Sequence, residues 1–254
     1  MTLAYDTSSL FRRYLTKLVR NPTLLGTNLL TPVVFMVLFS QLLEKLSVFP
    51  GVGGSFLSYL TPGIIVMCAV LFAAQAGISI VNDLNSGFIG KLLVTPVSRS
   101  AILLGRLLTD GLMILLDSIL VIAVALALGV TFATGIPGIL LILLTAAFFG
   151  LTWSAIFLAV GMRTRSPESL SAISSGVSIV FMFISSAFLP NSILPSWAAT
   201  FSQWNPVTYV ANAMRALVQT GYDWNELAWA WGLTGAVAVI AFAVALLQFR
   251  KTVG

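Results

Sequence analysis

The chain has 254 residues, of which 58% are hydrophobic and only 8% are charged, and its formal net charge is +5. An ordinary soluble domain has about 25% charged residues, so this composition excludes a soluble globular protein. The chain contains no histidine and a single cysteine, Cys68. An internal disulfide, a cysteine metal cluster and a histidine-based catalytic triad are therefore excluded.

Four stretches of the chain lack charged residues and are long enough to cross a bilayer. They are residues 46–82, 118–162, 169–214 and 227–249. A membrane-spanning helix needs about 20 apolar residues. In hydrocarbon every backbone polar group must be paired internally, which leaves a helix bundle or a closed barrel. Because apolar and polar residues do not alternate strictly in these stretches, they favour the helix bundle.

The two longest stretches must each be divided, and the division predicts six membrane-spanning helices. Residues 129–138 divide the first stretch, and Pro190 and Pro195 divide the second. The predicted spans are 24–43, 57–81, 104–128, 136–160, 169–189 and 227–249. The first of these is too long for the core of a signal peptide, so we expect it to be retained. The predicted fold class is all-α, with residues 1–254 forming a single transmembrane domain.

Residues 5–21 predict an amphipathic helix before the first span. Apolar residues recur there at helical spacing, and the cations occupy the other side of the helix. These cations are Arg12, Arg13, Lys17 and Arg20. A basic amphipathic helix beside a span is typical of the membrane surface. The alternative is a soluble helical arm.

The distribution of lysine and arginine predicts the orientation of the chain. With the N-terminus in the cytoplasm, 11 of the 13 cations lie on the cytoplasmic side, and Lys45 and Arg215 lie outside. This positive-inside bias predicts that both termini are cytoplasmic. Contact with anionic lipid headgroups accounts for the net positive charge, so no nucleic acid partner is expected.

The cytoplasmic connection after the second span, residues 82–99, predicts a short surface helix. Its apolar stripe consists of Phe88, Ile89, Leu92 and Leu93. These residues recur at helical spacing, and Pro96 would end the helix. The alternative is an interfacial turn that only joins two spans.

The outer connection before the last span, residues 190–226, is too apolar for a solvated loop. Its segments of about ten residues, set off by Pro195 and Pro206, predict re-entrant or interfacial helices. Tryptophan and tyrosine residues between 197 and 229 suit the headgroup zone of a membrane. An aromatic belt without re-entrant helices is the alternative.

Three ionisable residues of the predicted third span share one helix face: Arg106, Asp110 and Asp117. Their spacing brings them within about 40° of one another at 3.6 residues per turn. Ionisable groups inside a membrane cost at least about 2.5 kcal/mol, so they usually face protein or water. Arg106 and Asp110 form either a structural pair or part of a transport path. Asp117 lies deepest and has either a structural role or a contact with a cationic substrate or a dimer partner.

Six serines in and just after the predicted fifth span are the other polar feature of the bundle. They are Ser171, Ser174, Ser175, Ser178, Ser185 and Ser186. Small residues of this kind either permit close helix packing or line a polar path.

The two connections together resemble those of the type 2 ABC-transporter permease family. Asp83 ends the second span and is followed by Gly87 and by Thr95-Pro96-Val97-Ser98-Arg99, which is similar to the cytoplasmic coupling segment of that family. Leu194-Pro195, then Pro206-Val207-Thr208-Tyr209 and then Arg215 are similar to its signature before the last span. The resemblance covers essentially the whole chain and is nearest to the daunorubicin-resistance-like drug and lipid exporters.

The resemblance implies roles for two groups of residues. Asp83, Gly87, Phe88, Lys91, Leu92, Thr95, Pro96 and Arg99 would couple the chain to an ATPase. Pro195, Asn205, Pro206, Tyr209 and Arg215 would form the outer signature. The family often has a glutamate shortly after the coupling glycine, whereas this chain has Phe88-Ile89-Gly90. A charged contact to the partner is therefore missing or moved.

The implied function is that of the permease subunit of an ATP-driven exporter in a bacterial inner or plasma membrane. It would move a hydrophobic or amphiphilic compound, a drug or a lipid, out of the cytoplasm or the inner leaflet. Gly90-Lys91 is followed by Leu92 and lacks the spacing of a phosphate-binding loop. ATP and Mg²⁺ are therefore expected in a separate ABC ATPase subunit. A second permease chain, identical or related, would complete the conduit, and no cofactor or metal is expected in this chain.

Three other functions compete with this one. A polysaccharide or teichoic-acid exporter permease shares the architecture. A secondary transporter or channel would need paired ionisable residues near the midplane and often has two related halves. A membrane enzyme would need acid–base groups, and the outer connections offer only Glu44, Asp223 and Glu226 as acids.

Overall fold

A computed structural model describes residues 3–42, 55–94 and 97–253 of the chain. Every regular element within these ranges is an α-helix, so the all-α fold class is confirmed for the described residues. The helices are α1 (Leu3–Val19), α2 (Pro22–Leu42), α3 (Phe56–Asn85), α4 (Phe88–Leu93), α5 (Arg99–Ala127), α6 (Gly135–Thr164), α7 (Pro167–Phe183), α8 (Ser196–Ser202), α9 (Pro206–Gln219) and α10 (Trp224–Val253).

Within the described ranges, four helices are long and apolar enough to cross a membrane. Their apolar portions are Phe56–Asn85, Ser100–Ala127, Gly135–Thr164 and Trp224–Phe249. Helices α2 and α7 contribute shorter apolar stretches at the positions of the first and fifth predicted spans. The structure thus supports a multi-pass membrane protein, and the count of six spans stays a prediction.

Helix α3 lies at the centre of the bundle and packs against α6, α5, α9, α7 and α2. Its most apolar portion is 72% buried, against 22% for the corresponding portion of α10. Close packing between α3 and α6 depends on Gly77. A Cβ atom at this position would collide with the backbone carbonyl of Phe157 and with the side chain of Leu170.

Replacing Gly77 by alanine is expected to lower the free energy of unfolding by about 1 kcal/mol, because a methyl group there forces the α3 and α6 backbones apart. The measurement is the thermal midpoint in mild detergent. Gly232→Ala is the matched control, since a Cβ atom at Gly232 meets no atom within 4 Å. A midpoint for Gly77→Ala equal to that of Gly232→Ala would show that the α3–α6 contact tolerates the methyl group.

The predicted end of the fifth span is wrong. Helix α7 ends at Phe183, whereas the predicted span continues to residue 189. The chain turns after Phe183, and its backbone carbonyls are bound by side chains from α3 and α9 and from Asn205. The hydrogen-bond donors that stabilise this turn come from distant parts of the sequence, and hydrophobic periodicity does not reveal them. A prediction from the apolar run alone therefore makes the helix too long.

The outer connection contains the two helices α8 and α9, each preceded or begun by a proline. Pro195 lies directly before α8, and Pro206 is the first residue of α9. Asn205 caps α9, because its side-chain oxygen accepts a hydrogen bond of 3.0 Å from the Val207 backbone N–H. Helices therefore occur where re-entrant or interfacial helices were predicted, and their depth in the membrane stays a prediction.

Candidate functional site

Asp83 joins the first helix of the chain to the C-terminal end of α3. Its carboxylate oxygens lie 3.4 Å from Nη1 of Arg13 and 3.3 Å from Nζ of Lys17. The Asp83 side chain is 4% exposed, whereas those of Arg13 and Lys17 are 34% and 54% exposed. Two cations on α1 thus neutralise a carboxylate whose burial would otherwise be costly. The three residues form an ion cluster that fixes α1 against α3.

The short helix α4 begins directly beside this ion cluster. Gly87 precedes α4 with a φ of +70°, in the left-handed region that glycine adopts without strain. The Phe88 ring then lies against the guanidinium of Arg13, with 3.3 Å between the guanidinium carbon and the ring centroid. Such a cation–π contact adds to the attachment of α4 to α1. Ile89 is buried in the core, so one side of α4 faces the bundle.

The other side of α4 is open. Lys91 is exposed, and Val94, just after the helix, is 86% exposed. Leu92 is half-buried and packs against the core. Among the remaining predicted coupling residues, Arg99 is the first residue of α5, and Thr95 and Pro96 lie outside the described residues. The structure therefore brings together Asp83, Gly87 and Phe88 in one cluster, with Lys91 on its surface.

Sequence reasoning did not identify Arg13, Lys17 and Tyr14 of α1 as partners of this segment. Tyr14 is 1% exposed, and its ring lies near the guanidinium groups of both Arg13 and Arg106. Burial and the neighbouring Asp83 carboxylate raise the pKa of Tyr14 well above its usual range, so the phenol stays neutral. The spacing of Arg13 and Lys17 by four residues was the available signal, because it puts both cations on one side of α1.

Arg106 and Asp110 form an ion pair inside the bundle. The distance from Nη2 of Arg106 to Oδ1 of Asp110 is 2.7 Å. Nη1 of Arg106 also donates a hydrogen bond of 3.1 Å to Oγ of Ser79 on α3. The guanidinium therefore connects α5 to α3 and lies against the ring of Tyr14. This arrangement favours the structural alternative for the pair.

Asp117 takes no part in that ion pair. Its side chain is buried at 1% exposure, and among the described residues its Oδ1 atom has no hydrogen-bond partner. It lines a cavity of about 260 Å³ that lies between α2, α3, α5 and α7. Four of the predicted serines line the same cavity: Ser171, Ser174, Ser175 and Ser178. Ser185 and Ser186 lie beyond the end of α7.

Arg215 is a buried cation in α9, close to the turn that follows α7. It is 8% exposed, and its Nη2 atom donates a hydrogen bond of 2.8 Å to the backbone carbonyl of Ser186. Nη1 donates one of 2.7 Å to Oδ1 of Asn212, and Nε donates one of 3.4 Å to the carbonyl of Tyr59. The guanidinium carbon lies 3.7 Å from the centroid of the Tyr59 ring. A cation thus satisfies a backbone carbonyl of the turn that follows α7 and connects this turn to α3 and α9.

The other outer signature residues complete the same turn. Nδ2 of Asn205 donates hydrogen bonds of 2.7 Å and 2.6 Å to the carbonyls of Phe181 and Ile184, which holds α9 against the end of α7. The Tyr209 hydroxyl donates a hydrogen bond of 2.8 Å to the Gln203 carbonyl. These contacts give the outer signature a structural role. Asn205 binds the beginning of the turn after α7, and Arg215 binds the carbonyl of Ser186 further along the same turn.

Comparison with known proteins agrees with this architecture. Residues 5–218 match the ABC-2 type transporter family. The daunorubicin resistance ABC transporter permease protein DrrB1 of Streptomyces coeruleorubidus is 28% identical over 189 residues, which are 74% of this chain and 66% of that protein. This chain therefore spans slightly less than two thirds of the length of that relative.

Two further relatives are covered over more of their length. The putative transport permease ycf38 of Pyropia yezoensis is 24% identical over 97% of this chain and 87% of its own length. The probable doxorubicin resistance ABC transporter permease protein DrrC of Mycobacterium tuberculosis is 22% identical over 94% of this chain and 86% of its own length. The family match over most of the chain, together with the long apolar helices, shows that this protein is a multi-pass membrane protein of the ABC-2 type transporter family.

Proposed function

We propose that the chain is the transmembrane permease subunit of an ATP-driven exporter that moves a hydrophobic or amphiphilic compound, a drug or a lipid. The observation that carries the proposal is the family match over residues 5–218. Relatives named as drug-resistance ABC transporter permeases support the exporter assignment and the substrate class. The proposed location is a bacterial inner or plasma membrane, with six spans and both termini in the cytoplasm.

ATP hydrolysis would take place in a separate ABC ATPase subunit that docks on α4. The exposed side of α4, with Lys91 and Val94, is available for this contact. The buried side is attached to α1 through Phe88 and Arg13, and Arg13 in turn binds Asp83 on α3. A displacement of α4 would therefore move α1 and α3 together. A second permease chain would complete the conduit, since one bundle of this size is half of such a transporter.

The test is co-purification of the ATPase subunit with the permease from its native membrane. The full-length chain with an affinity tag is compared with Val94→Asp, which puts a charge on the exposed side of α4. Because Val94 is 86% exposed, the substitution leaves the fold of the permease intact. We expect the wild type to retain an ATPase subunit and Val94→Asp to retain about tenfold less, since burying one unpaired charge costs more than about 1.4 kcal/mol.

Asn225→Asp is the matched control for this experiment. It introduces the same charge at an exposed position in the first turn of α10, beside Asp223 and Glu226, and should retain as much ATPase as the wild type. Absence of an ATPase from the wild-type complex would contradict the exporter assignment. Equal retention by Val94→Asp and the wild type would contradict only the docking position.

A further inference from the structure

We propose that the cavity around Asp117 and an adjoining apolar cavity form a binding site for a cationic amphiphile, a hydrophobic compound that carries a protonated amine. The inference rests on the proposed export function and narrows its substrate class. It follows from one buried carboxylate, the polar groups around it and the aromatic surface next to it.

The polar end of the site contains a buried carboxyl group that pairs with no cation among the described residues. Asp117 is 1% exposed, and its Oδ1 atom has no hydrogen-bond partner within the described part of the chain. The cavity of about 260 Å³ beside it is lined by no lysine or arginine among the described residues. An isolated carboxylate is costly in a membrane interior unless a proton or a cation neutralises it. An ammonium group placed in this cavity would supply that cation and form a charge-assisted hydrogen bond.

The serines of α7 suit an ammonium group as additional acceptors. Ser174 and Ser178 are buried and line the same cavity as Asp117. The Ser174 hydroxyl donates its own hydrogen to the Ser171 carbonyl at 3.0 Å, so its oxygen can still accept a hydrogen bond. A primary ammonium has three donors. Asp117 and a serine oxygen would satisfy two of them.

The apolar end of the site is a second cavity of about 440 Å³. Its lining includes four phenylalanines: Phe35, Phe39, Phe183 and Phe188. Met67, Leu71 and Ser178 line both cavities, so the two spaces adjoin between α2 and α7. Ligand sites for small molecules are typically about 300–1,000 Å³, mostly apolar and fitted with a few polar groups. The joined site has this character, with charge at one end and aromatic rings at the other.

The site opens at the side of the bundle. Leu71 of α3 is 47% exposed although it lies between α2 and α7 and lines both cavities. A hydrophobic compound dissolved in the bilayer could therefore enter laterally, amine first toward Asp117. A neutral compound of the same shape would gain the apolar contacts and would lack the partner for the carboxylate.

Cys68 provides a direct reporter of occupancy. It is the only cysteine of the chain and lines the same cavity as Asp117. In the experiment, the full-length permease in phosphatidylcholine nanodiscs reacts with N-ethylmaleimide, and the labelling rate of Cys68 is measured with increasing probe. The probes are 4-phenylbutylamine and 4-phenylbutanol, which share an apolar body and differ in charge.

We expect the amine to protect Cys68 at a concentration at least about tenfold lower than the alcohol, because only the amine pairs with Asp117. In Asp117→Asn this preference should disappear, and in Asp117→Glu it should persist in part. Glu168→Gln is the matched control, since Glu168 is an exposed carboxylate of α7 that does not line the cavity. It should keep the full preference.

Equal protection by the two probes in the wild type, or a preference that survives in Asp117→Asn, would overturn the proposal. If the buried Cys68 thiol does not react, saturable binding of radiolabelled 4-phenylbutylamine to the same nanodiscs replaces labelling as the readout, because maleimide reacts with the thiolate, which apolar surroundings suppress. Binding of the amine no tighter than that of 4-phenylbutanol would overturn the proposal. The labelling experiment does not require the ATPase, so it tests the binding site independently of the proposed export function. If Cys68 is protected selectively by the amine but no ATPase co-purifies with the permease, the exporter assignment is contradicted and the binding site is not.

Discussion

Replacing Arg215 by alanine is expected to lower the free energy of unfolding by about 3 kcal/mol or more. The change removes charge-assisted hydrogen bonds to the Ser186 carbonyl and the Asn212 side chain, each of which contributes roughly 1.5–3 kcal/mol. It also removes the guanidinium from the face of Tyr59. The measurement is the thermal midpoint of the purified permease in mild detergent.

Two further variants make this prediction specific. Arg215→Lys keeps the charge but has no planar fork, so it cannot bind the Ser186 carbonyl and the Asn212 side chain at once and should give an intermediate midpoint. Arg163→Ala removes an exposed arginine at the inner end of α6 and should leave the midpoint unchanged. Equal midpoints for Arg215→Ala and Arg163→Ala would show that the buried network does not stabilise the outer turn.

Replacing Asp83 by asparagine is expected to release α1 from the bundle about 30-fold more often. The change removes two ion-paired hydrogen bonds, from Arg13 and Lys17. Because both cations are partly exposed, their pairing is screened by water, and we assign about 2 kcal/mol to the two contacts together. Trypsin cuts after arginine and lysine, so the rate of cleavage within α1 reports the open state.

The control for this experiment is Glu168→Gln, which removes a carboxylate that contacts neither cation in the described structure. It should leave tryptic cleavage of α1 at the wild-type rate. If Asp83→Asn is cut no faster than Glu168→Gln, the ion cluster does not hold α1 on α3. In that case, the proposed transmission of movement from α4 through Arg13 to α3 would lack its supporting contact.

The positions of several helices were predicted accurately from the sequence, because they depend on residues that are close together in the chain. The charge-free run 46–82 predicted a span at 57–81, and α3 extends over Phe56–Asn85. The stripe of Phe88 and Leu92 predicted a short helix, and α4 occupies Phe88–Leu93. In each case the helix is specified by the spacing of its own apolar residues and by the turn residues next to it in the sequence.

The candidate sites were predictable only in part. Helical spacing predicted that Arg106 and Asp110 share a face, and they form an ion pair. The same spacing could not separate them from Asp117, whose surroundings come from α2, α3 and α7. Spacing of residues along one helix says nothing about which groups of other helices lie opposite it.

The sequence by itself determined that this protein is helical and membrane-embedded, and that it has no histidine and a single cysteine. Burial of a charge in hydrocarbon is costly for each residue separately, so charge-free lengths alone predict where helices cross a membrane. Only the tertiary structure decided the partners of Asp83, which lie 66 and 70 residues away. It also decided the end of α7, the role of Arg215 and the cavity beside Asp117. These features depend on atoms that packing brings together from distant helices, and no local pattern records such distances.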